Sequence, residues 1–276
     1  MTNYHSIPAL SNSSLSVLKR SPAEFYARFV ADPPTMTSEE TDAMRLGSAV
    51  HMLALEPERF DKRYTILQGP INPTTKKPYG RDTNKFKDWF LSLDIEPDRD
   101  VLLEDEFSES LSIARAFQGH PEILRIMAAD AEKIYERGFE LSYLVEGQEP
   151  IRLKCKPDCV IPSEGLIIDL KTTSDPHPDS WKWSAEDFGY HRQAAIYLEA
   201  MRSLYGRQFQ FLFGVVRSKP PYEVGVYELD QGSLNRGWEE VTGLIDEYQQ
   251  RKATGDWLSD WQKGIATINV PERKRR

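Results

Sequence analysis

Asp158, Asp169 and Lys171 are the residues of this chain whose types and spacing could do chemistry, and that chemistry is on a phosphate ester. Pro162-Ser163-Glu164-Gly165 is a turn signal between two strand-like runs, Ile151–Val160 and Gly165–Lys171. With Ser163 and Glu164 at the tip, Asp158 and Asp169 become cross-strand neighbours, their Cβ atoms about 5 Å apart. Carboxylates that close repel each other unless a cation sits between them or one stays protonated. Mg2+ takes oxygen ligands of this kind, commonly one or two carboxylates together with a substrate phosphate. Lys171, two residues beyond Asp169, falls on the same strand face. There it could orient or deprotonate an attacking water and offset charge building on the phosphate. The same face of the preceding strand carries Arg152, Lys154 and Lys156, and its other face carries Ile151, Leu153, Cys155 and Cys159. A basic face leading to two acids suits phosphodiester cleavage. Asp-x-Lys alone is also the spacing of an ordinary ion pair at a strand end, so the surroundings must supply the specificity.

The elements that would position these residues can be read from periodicity and caps. Serines at 11, 13 and 14 lead into a helical pattern over Ser16–Val30. A second helix is expected over Asp42–Leu55, carrying His51 and closed by Glu56-Pro57. Residues 66–83, rich in Pro, Gly, Asn and Lys, read as a long surface loop. Helices follow at Asn84–Leu93 and Glu104–Gln118, and again after Pro121. From about residue 137 the pattern changes. Phe139–Val145 alternates, Ile151–Val160 alternates, and Gly165–Lys171 is a short apolar run. A helix at about Phe188–Tyr205, strands at Phe209–Val216 and Tyr222–Leu229, and a helix from about Gly232 to Lys252 complete the chain. This order predicts an α/β (α+β) fold with a central mixed sheet flanked by helices. One domain over residues 1–276 is expected, with a mainly helical part to 136, a core over 137–255 and a tail over 256–276.

Composition leaves room for this chemistry. At 276 residues, 39% hydrophobic and 28% charged, the chain can bury a sizeable core. It has no apolar run of about 18 residues for a membrane span, and its start, Met1-Thr2-Asn3-Tyr4-His5, is not a signal peptide. A cytoplasmic location is therefore expected. Cys155 and Cys159, if on one strand face, are too far apart for a disulfide and too few for an iron–sulfur cluster. Reduced buried thiols are the reading. The net charge of −8 speaks against nucleic acid as a ligand, but locally converging basic residues can override a net charge. The Arg273-Lys274-Arg275-Arg276 cluster is a solvated end or a minor basic patch.

Four ordered motifs now line up. Cys155-Lys156-Pro157-Asp158 followed by Ile168-Asp169-Leu170-Lys171 resembles the Asp…(Asp/Glu)-x-Lys signature of the PD-(D/E)XK nucleases. Gln193 and Tyr197 resemble the Gln-x-x-x-Tyr helix of its RecB-like branch, and Gly47-Ser48-Ala49-Val50-His51 resembles that branch's metal-binding helix. The likeness is strongest to RecE-type exonucleases of phage and prophage recombination, and spans residues from Leu10 to about Leu229. It implies a restriction-endonuclease-like core, with His51, Asp158, Asp169 and the Leu170 backbone carbonyl as ligands of Mg2+, for which Mn2+ could substitute. It further implies Lys171 as the catalytic lysine, Glu140 as an acid serving the metal through water, and Gln193 and Tyr197 as holders of the DNA strand. Asp169 stands where better-known members carry Glu, a departure that RecE-type proteins share.

The expectation is a Mg2+-dependent exodeoxyribonuclease acting on ends of linear double-stranded DNA. One strand would be degraded, from 5′ to 3′, leaving a 3′ overhang for a RecT-like annealing partner, and a homo-oligomeric ring without membrane attachment is implied. Arg152, Lys154 and Lys156 would grip the DNA, and the loop around Lys76, Lys77, Arg81 and Lys85 is either a further grip or plain solvated surface. Trp181 and Trp183 are candidates for stacking on an unpaired base or for core packing. Two rivals stand beside this reading. One is a RecB-like or Cas4-like nuclease of single strands or flaps, and the other is a catalytically silent DNA-binding protein of the same fold.

Overall fold

The computed structural model describes residues 4, 7–37, 41–96, 98–144, 149–265 and 267–270, so Val145 and the basic Arg273–Arg276 cluster lie outside the described residues. Serine chemistry opens the fold. The Ser11 side chain accepts from the Ser14 N–H while Ser14 answers on the Ser11 N–H, a capping box that starts α1 (Asn12–Arg20). Ser21-Pro22 then ends α1 and caps a short α2 (Pro22–Phe25), which passes into a π-turn over Tyr26–Val30. The single helix expected over Ser16–Val30 is thus broken where a cap and a proline coincide. α3 (Asp42–Leu55), capped by Thr41, runs as expected and buries Ala49, Val50, Leu53 and Ala54. It is followed by α4 (Phe60–Arg63), β1 (Tyr64–Leu67), α5 (Asn84–Leu91), β2 (Asp100–Leu103), α6 (Glu104–Gly119) and α7 (Pro121–Met127). β1 and β2 pair in parallel, a small sheet in a half read as helical.

The remaining elements are β3 (Ile134–Tyr135), β4 (Phe139–Tyr143), β5 (Ile151–Cys155), β6 (Cys159–Ile161), β7 (Leu166–Thr173), α8 (Pro178–Asp187), α9 (Tyr190–Tyr205), β8 (Gln210–Arg217), β9 (Val224–Tyr227) and α10 (Gln231–Thr254). Five strands form the mixed central sheet in the order β3-β6-β7-β8-β9. Its one parallel pair is β7 with β8, joined by the crossover through α8 and α9.

The run Ile151–Val160 is not one strand. Lys156-Pro157-Asp158 interrupts it, Pro157 having no N–H to give a ladder. β5 pairs with β4 in a separate sheet, while β6 joins the central one. Cys155 and Cys159 therefore do not share a face. They sit in two different cores as free thiols, each pushed by burial to a pKa of about 12.

Those cores lie on the two sides of the central sheet. Ile167 of β7 packs with Phe211, Phe213 and Val215 of β8 against α1, α9 and α10. Leu166, Ile168 and Leu170 point the other way, onto Ala49 and Val50 of α3 and Ile113 and Phe117 of α6. Each fully buried aliphatic or Phe side chain contributes about 1.5–3 kcal/mol through area removed from water. This alternation turns Asp169 and Lys171 toward the α9 side. α10 approaches α9 so closely at Gly237 that a methyl there would run into the His191 carbonyl. Among the described residues no helix is long and apolar enough to cross a membrane.

Candidate active site

The β6–β7 hairpin pairs Cys159 with Ile168, Val160 with Ile167 and Ile161 with Leu166. That register carries on to Asp158 and Asp169 at the open end. There Asp158 leaves the ladder, and its Oδ2 accepts the Leu170 N–H at 2.7 Å. α3 brings His51 over the same carboxylate, with Nδ1 3.2 Å from Asp158 Oδ2. Glu136, just after β3, adds its Oε1 4.0 Å from His51 Nδ1. The ligand atoms of His51, Glu136 and Asp158 all lie within 4.8 Å of one another. Glu136 holds this place with φ at 47°, the left-handed region, which costs a non-glycine residue about 1–3 kcal/mol. Its N–H donates to the Asp158 carbonyl at 3.2 Å, so backbone and side chain both converge on Asp158.

Asp169 is 1% exposed and pairs through Oδ1 with Lys171 Nζ. Lys171 Nζ also lies 4.8 Å from the centre of the Tyr190 ring, at the start of α9. Gln193, one turn on, donates its Nε2 to Asp169 Oδ2 at 3.0 Å and to the Tyr197 hydroxyl at 3.2 Å. Tyr197 in turn donates to the Lys156 carbonyl at 3.3 Å. Gln193 and Tyr197 are buried and face inward, toward Asp169 and the Lys156 backbone. Gln193 thus contacts the Asp169 carboxylate, and Tyr197 ties Gln193 to the Lys156 backbone.

The electrostatics follow from packing like charges out of water. Burial, and then the neighbouring Asp158, push the Asp169 pKa up to about 6, against the pull of Lys171. Two unit charges about 5 Å apart at an effective dielectric near 20 interact by about 3 kcal/mol, enough to move protons. Burial works against charge on His51 and Lys171, but the adjacent carboxylates prevail and hold both above their ordinary values. Burial and Asp158 likewise raise Glu136, despite its ion pair with Lys156.

Several expected residues stand apart from this group. Glu140 is on the outer face of β4, opposite Lys154 in the ladder, and pairs with exposed Arg152. Lys154 is buried and donates to the carbonyls of Tyr4 and Ile7 at 3.0 and 2.9 Å. Lys156 is engaged by Glu136. The break at Pro157 is the reason the three basic residues form no continuous face leading to Asp158. Trp181 is buried in the core and Trp183 is exposed on α8. Arg81 of the long loop is tied to Glu106 at the start of α6. Sequence reasoning missed Glu136 and Tyr190. β3 is too short to show a period that would orient Glu136, and Tyr190 carries no signal except its closeness to Gln193 in the same helix.

A divalent cation fits this donor set. His51, Glu136 and Asp158 offer one imidazole nitrogen and several carboxylate oxygens, a mixture that suits Mg2+ and Mn2+, and Asp169 lies near enough to feel the charges of Asp158 and His51. Among the described residues, buried Asp169 Oδ1 has no partner apart from its ion pair with Lys171, which leaves a lone pair for an ion. A second group, Glu186, His191 and Glu240, has similar spacing. There Glu240 is already bound by Lys19 and Arg192, each at 2.8 Å.

A family model described as a PDDEXK-like domain of unknown function (DUF3799) matches residues 11–259. No curated protein matches the chain. Among solved structures, a protein of Eubacterium rectale described as a candidate exonuclease aligns over 98% of this chain and 94% of that one, with a TM-score of 0.62 and 15% identity. At that identity the likeness is one of fold. A phage-related exonuclease of Haemophilus somnus 129PT aligns over 90% of this chain and 96% of its own, at 16% identity and a TM-score of 0.35.

Proposed function

Because the chain belongs to the family of PDDEXK-like domains (DUF3799), we propose that it is a divalent-metal-dependent deoxyribonuclease. More narrowly, it is a RecE-type exonuclease, a single nuclease domain that removes one strand of linear double-stranded DNA from the 5′ end. The 3′ overhang would serve an annealing partner of the RecT kind, and the working form would be a homo-oligomeric ring. The observation that carries this reading is the convergence of His51, Asp158 and Asp169 from three elements beside Lys171.

A Mg2+ or Mn2+ ion held by those residues, with help from the Leu170 carbonyl, supplies Lewis acidity at the scissile phosphate. The rest falls to the chain's own groups. Lys171, fixed between Asp169 and the Tyr190 ring, presents an ammonium to the phosphate and offsets the charge that grows there in the transition state. Gln193 keeps Asp169 in one orientation, and the Leu170 N–H does the same for Asp158. Asp158 orients His51, and Glu136 beside them takes up the charge of Lys156.

The test is a substrate panel of linear duplex labelled at the 5′ or the 3′ end, covalently closed circular duplex and single strands, each with Mg2+ or with chelator. We expect loss of linear duplex only, early release of the 5′ label, and no reaction in chelator. Preference for single strands would instead support a RecB-like nuclease. Binding without cleavage under any divalent ion would overturn both enzyme readings.

A further inference from the structure

Beside Lys171 four aromatic rings follow one another, from half-buried Tyr227 through buried Trp181 to exposed Phe188. Tyr227 and Trp181 have ring centres 5.1 Å apart at 23°, Trp181 and Tyr190 6.1 Å apart at 23°, and Tyr190 and Phe188 5.7 Å apart at 29°. The inner end is anchored, Trp181 being 3% exposed and the Tyr227 hydroxyl donating to the Pro176 carbonyl at 2.6 Å. The outer end is open, with Phe188 63% exposed. Phe188 sits at the C-cap of α8, immediately before Gly189, whose φ of 67° turns the chain into α9. Tyr190, the third ring, is the one over which Lys171 Nζ lies at 4.8 Å.

An exposed Phe held nearly parallel to the next ring, one ring away from Lys171, presents a flat apolar surface that is largely uncovered among the described residues. A nucleobase has the π-face to continue such a run, and stacking of this kind is tolerant of sequence. A base inside the duplex has both faces occupied by its neighbours, so the surface takes a base at the end of a strand, and one that has left its pair offers it a whole face. We infer that Phe188, backed by Tyr190, is a stacking platform for an unpaired base next to the scissile phosphate. The strand reaching the centre is then the melted end of a linear duplex. This rests on the nuclease reading above and specifies how the strand is held. Of the two aromatics that the sequence pointed to, Trp181 is a buried member of this run, and Trp183 is exposed on α8 with no ring contact to the run among the described residues.

The experiment uses the full chain with Asp169→Ala, which prevents cleavage, and a short single-stranded oligodeoxynucleotide carrying 2-aminopurine at its terminal position, in Mg2+. The parent is expected to change the probe's emission as the base stacks. Adding Phe188→Ala should weaken binding about tenfold, the fold-change of one stacking contact, and abolish the emission change. Phe188→Trp should restore both. Because the Phe188 ring is largely exposed, neither substitution threatens the core, and circular dichroism verifies this. An unchanged emission in the parent, or equal binding by Phe188→Ala, would overturn the platform. Cleavage by the unsubstituted protein is scored separately. Stacking without any cleavage removes the nuclease reading and leaves the platform standing, whereas cleavage without stacking removes the platform alone.

Discussion

Asp169 is gripped from two sides, by Lys171 on one oxygen and Gln193 on the other. Groups that orient a metal ligand from the second layer commonly cost about 10–100-fold in metal affinity when removed. Gln193→Ala should therefore lower Mn2+ affinity by roughly that factor, read by titration calorimetry without any DNA present. Unchanged affinity would favour the DNA-holding role that the family resemblance implies for Gln193. Glu136 and Glu140 offer a second test at this scale. Glu136 reaches His51 from a strained backbone, while Glu140 is turned outward to Arg152. Glu136→Gln should weaken Mn2+ binding and Glu140→Gln should leave it alone, and the opposite result would restore Glu140 to the centre. Asp158, Asp169 and Lys171 were legible from a turn signal and a two-residue period. Glu136 was not, because its position depends on a left-handed backbone after a strand too short to announce itself.

At the scale of elements, α9 carries Gln193 and must be held against α1 and α10, and Glu240 of α10 does much of this. It binds Lys19 of α1 and both His191 and Arg192 of α9. Burial alone would raise its pKa, but hydrogen bonds from Lys19, Arg192 and His191 more than reverse that, taking it from 4.5 to about 2. A carboxylate depressed on folding stabilises fully above its unfolded value and loses that contribution as pH falls toward the folded one. The urea midpoint should thus fall on going from about pH 5 to about pH 3, and fall less in Glu240→Gln. Identical pH profiles would show that the network contributes nothing. α3, α5 and α10 were visible in the sequence because each combines a cap with a helical stripe of apolar residues, and α6 by its stripe alone. The β5–β6 break was not, since alternation runs unbroken through Cys155 and Cys159 and only Pro157 contradicts it. That proline moved Arg152 and Lys154 away from the centre, and with them the basic face.

For the molecule as a whole, the mixed sheet between two cores puts Asp158 and Asp169 at one end of a hairpin, α3 on one side and α9 on the other. A chain of net charge −8 whose central lysines are already paired with carboxylates has little free positive charge at its centre. A divalent ion held by those carboxylates is therefore central to the account, supplying the charge that a phosphate needs. The most direct measurement compares the unsubstituted protein with Asp169→Ala on end-labelled linear duplex in Mg2+, following both product release and retention on the DNA. Digestion by the first, no digestion by the second and DNA binding by both are expected. Digestion by Asp169→Ala at the unsubstituted rate would contradict this expectation.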